Sequence, residues 1–469
     1  MLTLLETPVV GPTAIVGLVI AIAVLIFLVL RTKVHALIAL VTAAAIAGLS
    51  AGMAPDAAIK SITTGFGSTL STIGLVVGFG VMMGAILEAS GAAERLALTM
   101  IRWLGKRKEE WALAGAGYII SIPIFVDSAF VILNPLVKAL ARSSNRSMLT
   151  LGIALAGGMV LTHHAVPPTP GPLGAAGIYG VSVGDMIIWG LVLTLPSLVT
   201  VTLYARAMGP RIEQMIATDT GEPLQSVSDA VAEFNALADE REKELPSFFI
   251  SMLPIVFPIL LIFLNTGVAA YAGANEGAVP EWFVAATTFI GNPVIAVGIG
   301  VLLAIYGLTR GVNRHDTIAT MEKGIETAGI ILLVTGAGGA LGAVLRDSGV
   351  GTYIGEWVAG LPLPTILIPF LIATMVRLVQ GSGTVAIITS ASLSAPILAT
   401  IPDVNLVLAA QAAALGAMIF SYFNDSLFWV VNRMMGVKEV KHQLLTWSVP
   451  TTIAWATTLV TILVVDIFV

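Results

Sequence analysis

Two aspartates and a histidine interrupt apolar stretches of the chain, and side chains of these types can carry protons. Asp127 follows Pro123 in Ser-Ile-Pro-Ile-Phe-Val-Asp-Ser, Asp425 lies in Asn-Asp-Ser, and His163 precedes four prolines in six residues. An ionisable group inside an apolar segment is by default a candidate functional group, and burial favours the protonated form of a carboxyl. We therefore expect proton coupling through Asp127, Asp425 or His163. The structural alternatives are a helix cap for Asp127, a hydrogen-bond network for Asp425 and a satisfied core position for His163.

The same interruptions carry hydroxyl, amide, glycine and guanidinium groups, which can bind a small oxygen-rich anion. Arg377 can pair bidentately with a carboxylate, and its alternative is a salt bridge to Asp127 or Asp425. Glycines let backbone amides approach an anion closely. Adjacent histidines point to different faces of a helix, so we expect only one of them, His163 rather than His164, to face a ligand. The predicted substrate-binding residues are Ser128, Thr162, His163, Arg377, Ser382, Gly383, Thr384, Asn424 and Ser426.

The residue types at these interruptions favour binding over catalysis. The chain has no cysteine, and its His-His pair lacks the spacing and the partner residues of a metal site. It has neither a nucleophile–base pair nor a Walker A sequence. We therefore expect no enzyme, no nucleotide-driven pump, no cofactor, no metal and no nucleic-acid partner. Such groups suit a small hydroxylated anion and do not suit a lipid or a bulky apolar drug.

Membrane helices must position these residues. The 469 residues are 57% hydrophobic and only 11% charged, with a mean hydropathy of +0.96, whereas a soluble domain carries roughly 25% charged residues. The apolar runs are close to the ~20 residues that a helix needs to cross a bilayer. We predict an all-α integral membrane protein with full spans at about 13–30, 34–52, 68–88, 148–180 (broken), 185–204, 247–266, 293–309, 325–345, 403–431 (broken) and 447–467.

Two further apolar stretches, 111–141 and 364–398, are interrupted by proline, glycine and polar residues. Each is either two ordinary helices or a re-entrant hairpin that enters and leaves the membrane on one side. Lysine and arginine concentrate in cytoplasmic loops, and the basic clusters of this chain all fall on one side if both stretches are hairpins. That placement gives ten spans, two hairpins and both termini outside. The alternative is twelve or more simple spans.

Two parts of the chain resemble each other 258 positions apart. The twelve residues from Gly80 match those from Gly338 at six positions, and Gly157–Thr162 resembles Gly416–Ser421 at nearly the same separation. Each half then holds about five spans and one hairpin. Because five crossings are an odd number, the second half starts from the opposite side of the membrane. We therefore predict two inverted repeats with broken helices at the midplane, an architecture of many secondary transporters.

The repeat sets the predicted domain boundaries. The first inverted repeat covers residues 1–205, and the second covers residues 247–469. Residues 206–246 form the one long polar stretch, which is rich in aspartate and glutamate. We predict that this stretch is a cytoplasmic connector, partly helical and solvated, with no chemical role.

These motifs resemble those of the gluconate permease family, over nearly the whole chain. Members of that family move gluconate and related hydroxy acids together with protons. The resemblance implies a multi-pass symporter of the bacterial inner membrane, and the wider ion transporter superfamily has inverted repeats with two re-entrant hairpins. Pro-Pro-Thr-Pro-Gly-Pro and Asn-Asp-Ser-x-Phe-Trp are the more specific motifs. The matching segments are Ile122–Pro135, Thr162–His163 with Val166–Pro172, Arg377 with Gln380–Ala386, Asn424–Ser426 with Phe428–Trp429, and Leu253–Ile262.

Residues and resemblance together predict a secondary active transporter that imports a small hydroxylated carboxylate, gluconate or a related sugar acid, by proton symport. The expected partners are the substrate anion and the lipid bilayer, and a homo-oligomer is compatible with the sequence. A sodium-coupled carboxylate symporter on the same fold is the first alternative, because backbone carbonyls at the breaks can coordinate sodium. A passive anion channel is the second alternative. The sequence does not name the particular hydroxy acid.

Overall fold

The structure is a computed structural model of the chain, and it describes residues 12–104, 108–144, 146–220, 244–275, 278–359, 363–422 and 424–469. Every regular element among these residues is helical, as the all-α prediction requires. The polar connector predicted at 206–246 is described in part: helix α9 continues through its first residues to Thr220, and residues 221–243 lie outside the described ranges.

The helices of the first half are separated by short breaks. Several begin at a proline, which lacks the backbone N–H that the first helical position leaves unpaired. The first-half helices are α1 Pro12–Arg31, α2 Ala36–Ser50, α3 Pro55–Ala89, α4 Ala92–Leu104, α5 Glu109–Ile120, α6 Val126–Ser144, α7 Met148–Ala165, α8 Pro170–Tyr179 and α9 Val183–Thr220.

The second half begins with a helix capped by Ser247, whose hydroxyl accepts from the amide of Ile250. Its last helix contains a π-helical turn at Leu444–Ser448. The second-half helices are α10 Phe248–Ala274, α11 Glu281–Ile290, α12 Pro293–Leu308, α13 Arg314–Asp347, α14 Val350–Ala359, α15 Leu367–Gln380, α16 Gly383–Leu398, α17 Leu406–Gly416, α18 Ser426–Met434 and α19 Val440–Asp466.

Six described helical segments are long and apolar enough to cross a membrane, and a seventh arises if α11 and α12, bent by 59° at their junction, count as one. The sequence predicted ten spans. The span predicted at 34–52 is a helix of 15 residues, and the one predicted at 403–431 divides into α17 and α18. The span predicted at 68–88 starts earlier, at Pro55, because its small residues pack against α13, where Gly65 meets Ala343.

Several polar contacts gather at one end of the bundle, which we name the basic end. There the guanidinium of Arg95 in α4 donates to the carbonyl of Pro246 before α10, at 2.7 Å. Arg206 of α9 lies 3.7 Å from Glu110 at the start of α5. These contacts join α4 to the segment before α10, and α9 to the start of α5. The opposite end holds the contact between Ser61 of α3 and Asp347 of α13, 2.6 Å apart.

Helix boundaries repeat along the chain at the spacing found in the sequence. Helices α4, α5 and α7 begin at Ala92, Glu109 and Met148, and α14, α15 and α17 each begin 258 positions later. The long helices α3 and α13, which precede α4 and α14 in the two halves, pack along each other. The breaks after α5, α7, α15 and α17 therefore fall at corresponding places in the two halves.

Candidate functional site

The four breaks meet around one polar cavity of about 190 Å³, which we name the central cavity. This volume is smaller than the ≈ 300–1,000 Å³ of a typical drug site. Its lining residues come from the ends of five helices and from the loops between them. They are Val126, Asp127, His163, His164, Arg377, Gln380, Gly381, Ser382, Gly383, Thr384, Ile387, Asn424, Asp425, Ser426 and Leu427.

Three helices present their N-terminal ends to the central cavity. The first residues of α6, α16 and α18, which are Val126, Gly383 and Ser426, all line the cavity. A helix N-terminus carries a partial positive charge of roughly half a unit, and its first amides lack partners within the helix. These three ends favour an anion, whereas the C-terminal ends of α7 and α15, which also reach the cavity, carry partial negative charges.

The first break separates α5 from α6 at residues 121–125 and supplies one carboxylate. Pro123 lacks a backbone N–H, and the hydroxyl of Ser121 donates to the carbonyl of Ile124 at 3.2 Å, within the loop. Asp127 lies in the first turn of α6, where a negative charge is favoured. The hydroxyl of Ser426 donates to Asp127 Oδ1 at 3.3 Å, so the first half and the second half meet at this carboxylate.

The second break separates α7 from α8 and brings two imidazoles to the cavity. The prolines at 167 and 168 end α7, and Pro170 begins α8. Nδ1 of His163 and Nε2 of His164 are buried and have no hydrogen-bond partner among the described residues. A Cβ at Gly383 would lie 2.3 Å from Nε2 of His164, so only glycine lets this ring approach the start of α16.

The third break, between α15 and α16, is a turn of two residues in which Gly381 is left-handed and Ser382 is extended. Gly381 has φ 88° and lies against the carbonyl of Asn424, which a Cβ would approach to 2.2 Å. Ser382 caps α16 by accepting from the amide of Val385 at 3.4 Å. Arg377, in the last turn of α15, donates to the carbonyl of Gly381 and so ties the helix end to the turn.

The fourth break, between α17 and α18, supplies the partner of Arg377. Nη2 of Arg377 lies 2.5 Å from Oδ2 of Asp425, and both side chains are almost fully buried, at 4% and 10% exposure. Asp425 also caps α18, since its Oδ1 accepts from the amide of Leu427 at 3.3 Å. The salt bridge that the sequence left as the alternative for Arg377 is therefore present. Nε of Arg377 has no hydrogen-bond partner among the described residues.

Helix α19 holds the fourth break in place through Ser421. Three residues in and after its π-helical turn contact three polar groups of Ser421. The indole N–H of Trp447 donates to Ser421 Oγ at 2.9 Å, Ser448 Oγ donates to the Ser421 carbonyl at 2.5 Å, and the Ser421 amide donates to Thr451 Oγ1 at 3.0 Å. Ser421 Oγ in turn donates to Asp425. A chain of hydrogen bonds thus runs from α19 to the buried ion pair.

One further group of candidate ligand atoms lies away from the cavity, where α9 ends and α19 begins. Nε2 of His442 is 3.2 Å from Asp219, and Nδ1 is 3.6 Å from Glu439. Asp219 and Glu439 are exposed, and exposed acidic groups of this kind are common without a bound ion. The arrangement suits a histidine that bridges two carboxylates and links α9 to α19 at the basic end.

A polar cavity enclosed by broken helices of an apolar bundle is the geometry of a membrane transport site. The sequence model of the GntP family permease matches residues 13–468. The chain belongs to the GntP permease family. It is a permease and not an enzyme, and it is a multi-pass protein of the bacterial inner membrane, as the resemblance implied.

Relatives of this permease match it over nearly their full length. An uncharacterized permease of Haemophilus influenzae is 55% identical over 447 residues, which cover 95% of this chain and 90% of the relative. The gluconate permease of Pseudomonas aeruginosa is 33% identical over 445 residues, which cover 94% and 95% of the two chains.

A solved structure resembles the permease in its fold. MtrF of Neisseria gonorrhoeae, described among antimetabolite efflux pumps, aligns with a TM-score of 0.62 and 15% sequence identity over 95% of this chain and 97% of the MtrF chain. At that identity the likeness concerns the fold alone, and it agrees with an all-α transporter architecture.

The structure brings most of the predicted site residues of the permease together. Two predicted residues lie outside the lining of the central cavity. Ser128 is one position past Asp127 on α6 and hydrogen-bonds Glu88 of α3. Thr162 is fully buried and donates to the carbonyl of Met159 at 3.4 Å. The predicted residues that line the cavity are Asp127, His163, Arg377, Ser382, Gly383, Thr384, Asn424, Asp425 and Ser426.

The sequence missed His164 as a lining residue of the permease. The cavity lies at the end of α7 and borders both rings, whose centroids are 5.7 Å apart, and the expectation that His163 rather than His164 faces a ligand stays a prediction. The predicted site residues also did not include Gln380 and Gly381, which line the cavity and lie in the polar motif after Arg377. Ile387 and Leu427 carry no sequence signal, since apolar residues are common throughout such helices.

Proposed function

We propose that this permease imports a small hydroxylated carboxylate, gluconate or a related sugar acid, by proton symport. The observation that carries the proposal is the balance of charge in the central cavity. Arg377 and Asp425 neutralise each other at 2.5 Å, whereas Asp127 faces the hydroxyl of Ser426. With both carboxylates ionised, the three charges sum to −1.

An anionic substrate that enters a cavity of charge −1 is repelled unless a proton accompanies it. Two like charges 4 Å apart repel by roughly 4 kcal/mol at an effective dielectric constant of 20. A proton on Asp127 removes this repulsion and leaves the three helix N-termini to attract the substrate carboxylate. Asp425 is already paired with Arg377. His163 and His164 line the same cavity.

The lining of the cavity supports a hydroxylated rather than an apolar substrate. Arg377 Nε, Gln380 Oε1 and the two histidine nitrogens are buried groups without described partners, and leaving such groups unpaired costs free energy. A sugar acid offers one carboxylate for the helix N-termini and several hydroxyls for these groups. The name of the P. aeruginosa relative, gluconate permease, supports the same substrate class.

We further propose that the permease consists of two inverted repeats, at 1–205 and 247–469, each with a re-entrant hairpin. The constant 258-residue spacing of helix starts supports the repeat. For the first hairpin, Nε of Arg146 lies 3.7 Å from Glu109, so the two ends of the α5–α6 pair meet. For the second hairpin, the hydroxyl of Ser390 in α16 donates to the carbonyl of Pro369 in α15 at 2.6 Å.

In this topology the basic end faces the cytoplasm, together with the 206–246 connector, and the opposite end faces outward. Lysine and arginine concentrate on the cytoplasmic side, which supports that orientation. Transport then proceeds by alternating access. The substrate and a proton bind between the two hairpin tips from outside, and the halves rearrange to open the cavity toward the cytoplasm.

Uptake of radiolabelled gluconate and other hydroxy acids into proteoliposomes tests the proposal. An inward proton gradient without sodium should drive saturable accumulation above the external concentration. Accumulation that requires sodium and ignores the proton gradient would favour the sodium-coupled alternative. Flux that only equilibrates the substrate and does not saturate would identify a channel. No transport of any hydroxy acid under either gradient would reject the substrate class.

A further inference from the structure

A second polar cavity, of about 370 Å³, lies at the end of the bundle opposite the basic end. It is bordered by α3, α8, α13 and α16. The polar residues of its lining include Ser68, Thr69, Thr72, Tyr179 and Arg346. We name this space the distal cavity.

The central and distal cavities lie at the two ends of the same pair of helices. Helix α16 borders the central cavity at Ile387 and the distal cavity at Ala395, and these eight residues span about 12 Å at ~1.5 Å per residue. Helix α8 runs beside it. A Cβ at Gly171, near the start of α8, would lie 2.8 Å from Ile387, whereas Tyr179 at its end lines the distal cavity.

Closely packed side chains of α8, α13 and α16 lie between the two cavities. A Cβ at Gly174, in the middle of α8, would lie 3.0 Å from the methyl group of Thr335 and 3.2 Å from Ile388. We name these small and branched side chains, packed against a glycine, the Ile388 layer.

The charge at the distal cavity is unusual for its side of the membrane. The loops at this end, 51–54, 180–182, 348–349 and 399–405, contain no lysine or arginine, as expected for an outer face. Arg346 nevertheless lines the distal cavity there, with a side chain that is 68% exposed. Its Nε pairs with Asp347 at 3.2 Å, and Asp347 also accepts from Ser61. The neighbouring aspartate thus orients the guanidinium at the cavity.

We propose that the distal cavity is an external binding site for the substrate carboxylate, with Arg346 as the residue that captures the anion before it crosses the Ile388 layer. This inference rests on the proposed function, since it assumes an anionic substrate that arrives from the distal end. Arg346 acts on capture and Asp127 acts on coupling. The two sites can therefore be disabled separately.

Replacement of Arg346 by glutamine tests the capture step in proteoliposomes oriented with the distal end outward. The KM for uptake should rise roughly two- to fivefold at low ionic strength, as expected for one exposed charge, with an unchanged maximal rate. Added salt should reduce the difference, because it screens exposed charges. Arg346→Lys should keep most of the affinity. Arg310→Gln, which removes an exposed arginine at the basic end, is the matched control and should leave KM unchanged.

Because the chain contains no cysteine, single cysteines can report occupancy of the distal cavity directly. Ser68→Cys places a thiol in the cavity, and Ser50→Cys places one at the exposed end of α2 as a control. An impermeant thiol reagent outside should label Ser68→Cys more slowly when substrate is present, while labelling of Ser50→Cys should not change. This protection should persist in Asp127→Asn and be lost in Arg346→Gln.

An unchanged KM in Arg346→Gln at low ionic strength would overturn the inference, and so would labelling of Ser68→Cys that substrate does not slow. Either result can occur while the wild-type protein still accumulates a sugar acid with protons, in which case the proposed function stands. If the wild-type protein transports no hydroxy acid, the proposed function fails instead, and the two failures are therefore distinguishable.

Discussion

The two halves of the permease contribute unequally to the central cavity. Of the fifteen described residues that line it, four come from the first half and eleven from the second. The tip of the first interrupted stretch is apolar and packs on α3, where a Cβ at Gly84 would lie 2.4 Å from the Pro123 carbonyl. The tip of the second is polar, and Gly381 and Ser382 line the cavity.

We infer from this difference that the two halves have different roles, recognition of the substrate in the second half and proton coupling in the first half. The second half supplies a neutral recognition surface, in which Arg377 and Asp425 compensate each other and hydroxyls and amides surround them. The first half supplies a packed wall, two imidazoles and one further carboxylate, Asp127. On this account, substitutions in the second half should impair binding, whereas Asp127 should control coupling. The following predictions test that division of roles, from the largest expected effect to the smallest.

Breaking the buried ion pair between Arg377 and Asp425 should have the largest effect on stability and on uptake. Arg377→Gln leaves Asp425 buried without its counter-charge, and removal of one partner of such a pair typically costs about 3–5 kcal/mol. We expect a lower melting temperature and no measurable uptake. The double variant Arg377→Gln with Asp425→Asn should regain much of the stability and none of the transport. Uptake at the wild-type rate in the double variant would remove the pair from the recognition surface.

Gly381→Ala should impair binding through its backbone. Gly381 has φ 88° and is packed against the Asn424 carbonyl, so alanine adds a clash to the ~1–2 kcal/mol cost of the left-handed conformation. Gly311→Ala is the matched control, since Gly311 has φ 89° and open space around it. Substrate affinity measured by thermal shift should fall in the first variant and be retained in the second. Equal substrate affinities in the two variants would contradict a role for the close packing of Gly381 against Asn424.

Trp447→Phe tests whether α19 positions the recognition surface. The change keeps most of the aromatic volume and removes the N–H that donates to Ser421. Loss of one such hydrogen bond costs about 0.5–1.5 kcal/mol, so we expect a KM roughly two- to tenfold higher, with proton coupling intact. Trp455→Phe, which removes the N–H donated to Thr374 at 2.9 Å, controls for a general loss of packing. A similar rise in KM in both variants would argue against a specific role.

Two serine variants, one in each half, should show the smallest changes in KM. Ser382→Ala removes a hydroxyl from the cavity lining, whereas Ser128→Ala removes one that contacts Glu88 outside it. We expect a several-fold rise in KM for Ser382→Ala and less than about a twofold change for Ser128→Ala. Concentration-dependent uptake measures both. The reverse order would place substrate recognition in the first half.

Much of this arrangement was accessible from the sequence, because helix breaks have strong local causes. The prolines at 167–172, the Gly-Ser-Gly turn and the Asn-Asp-Ser segment predicted three of the four breaks, and Pro123 predicted the other. The sequence did not decide between substrate binding and a salt bridge for Arg377, since pairing with Asp425 depends on how two distant helices pack. The hydrogen bond from Trp447 to Ser421 could not be predicted either, because a π-helical turn in an apolar helix has no distinct sequence pattern.

The central claim is that the uncompensated carboxylate of the first half obliges a proton to travel with the anion. Substrate-dependent proton uptake into proteoliposomes, measured with an entrapped pH dye and compared with labelled substrate flux, tests it most directly. Wild-type protein should take up protons with the substrate, and the Asp127→Asn variant should still exchange substrate across the membrane without moving protons. Asp403→Asn, an exposed aspartate in the loop after α16, is the control. Undiminished proton uptake with Asp127→Asn would contradict the account.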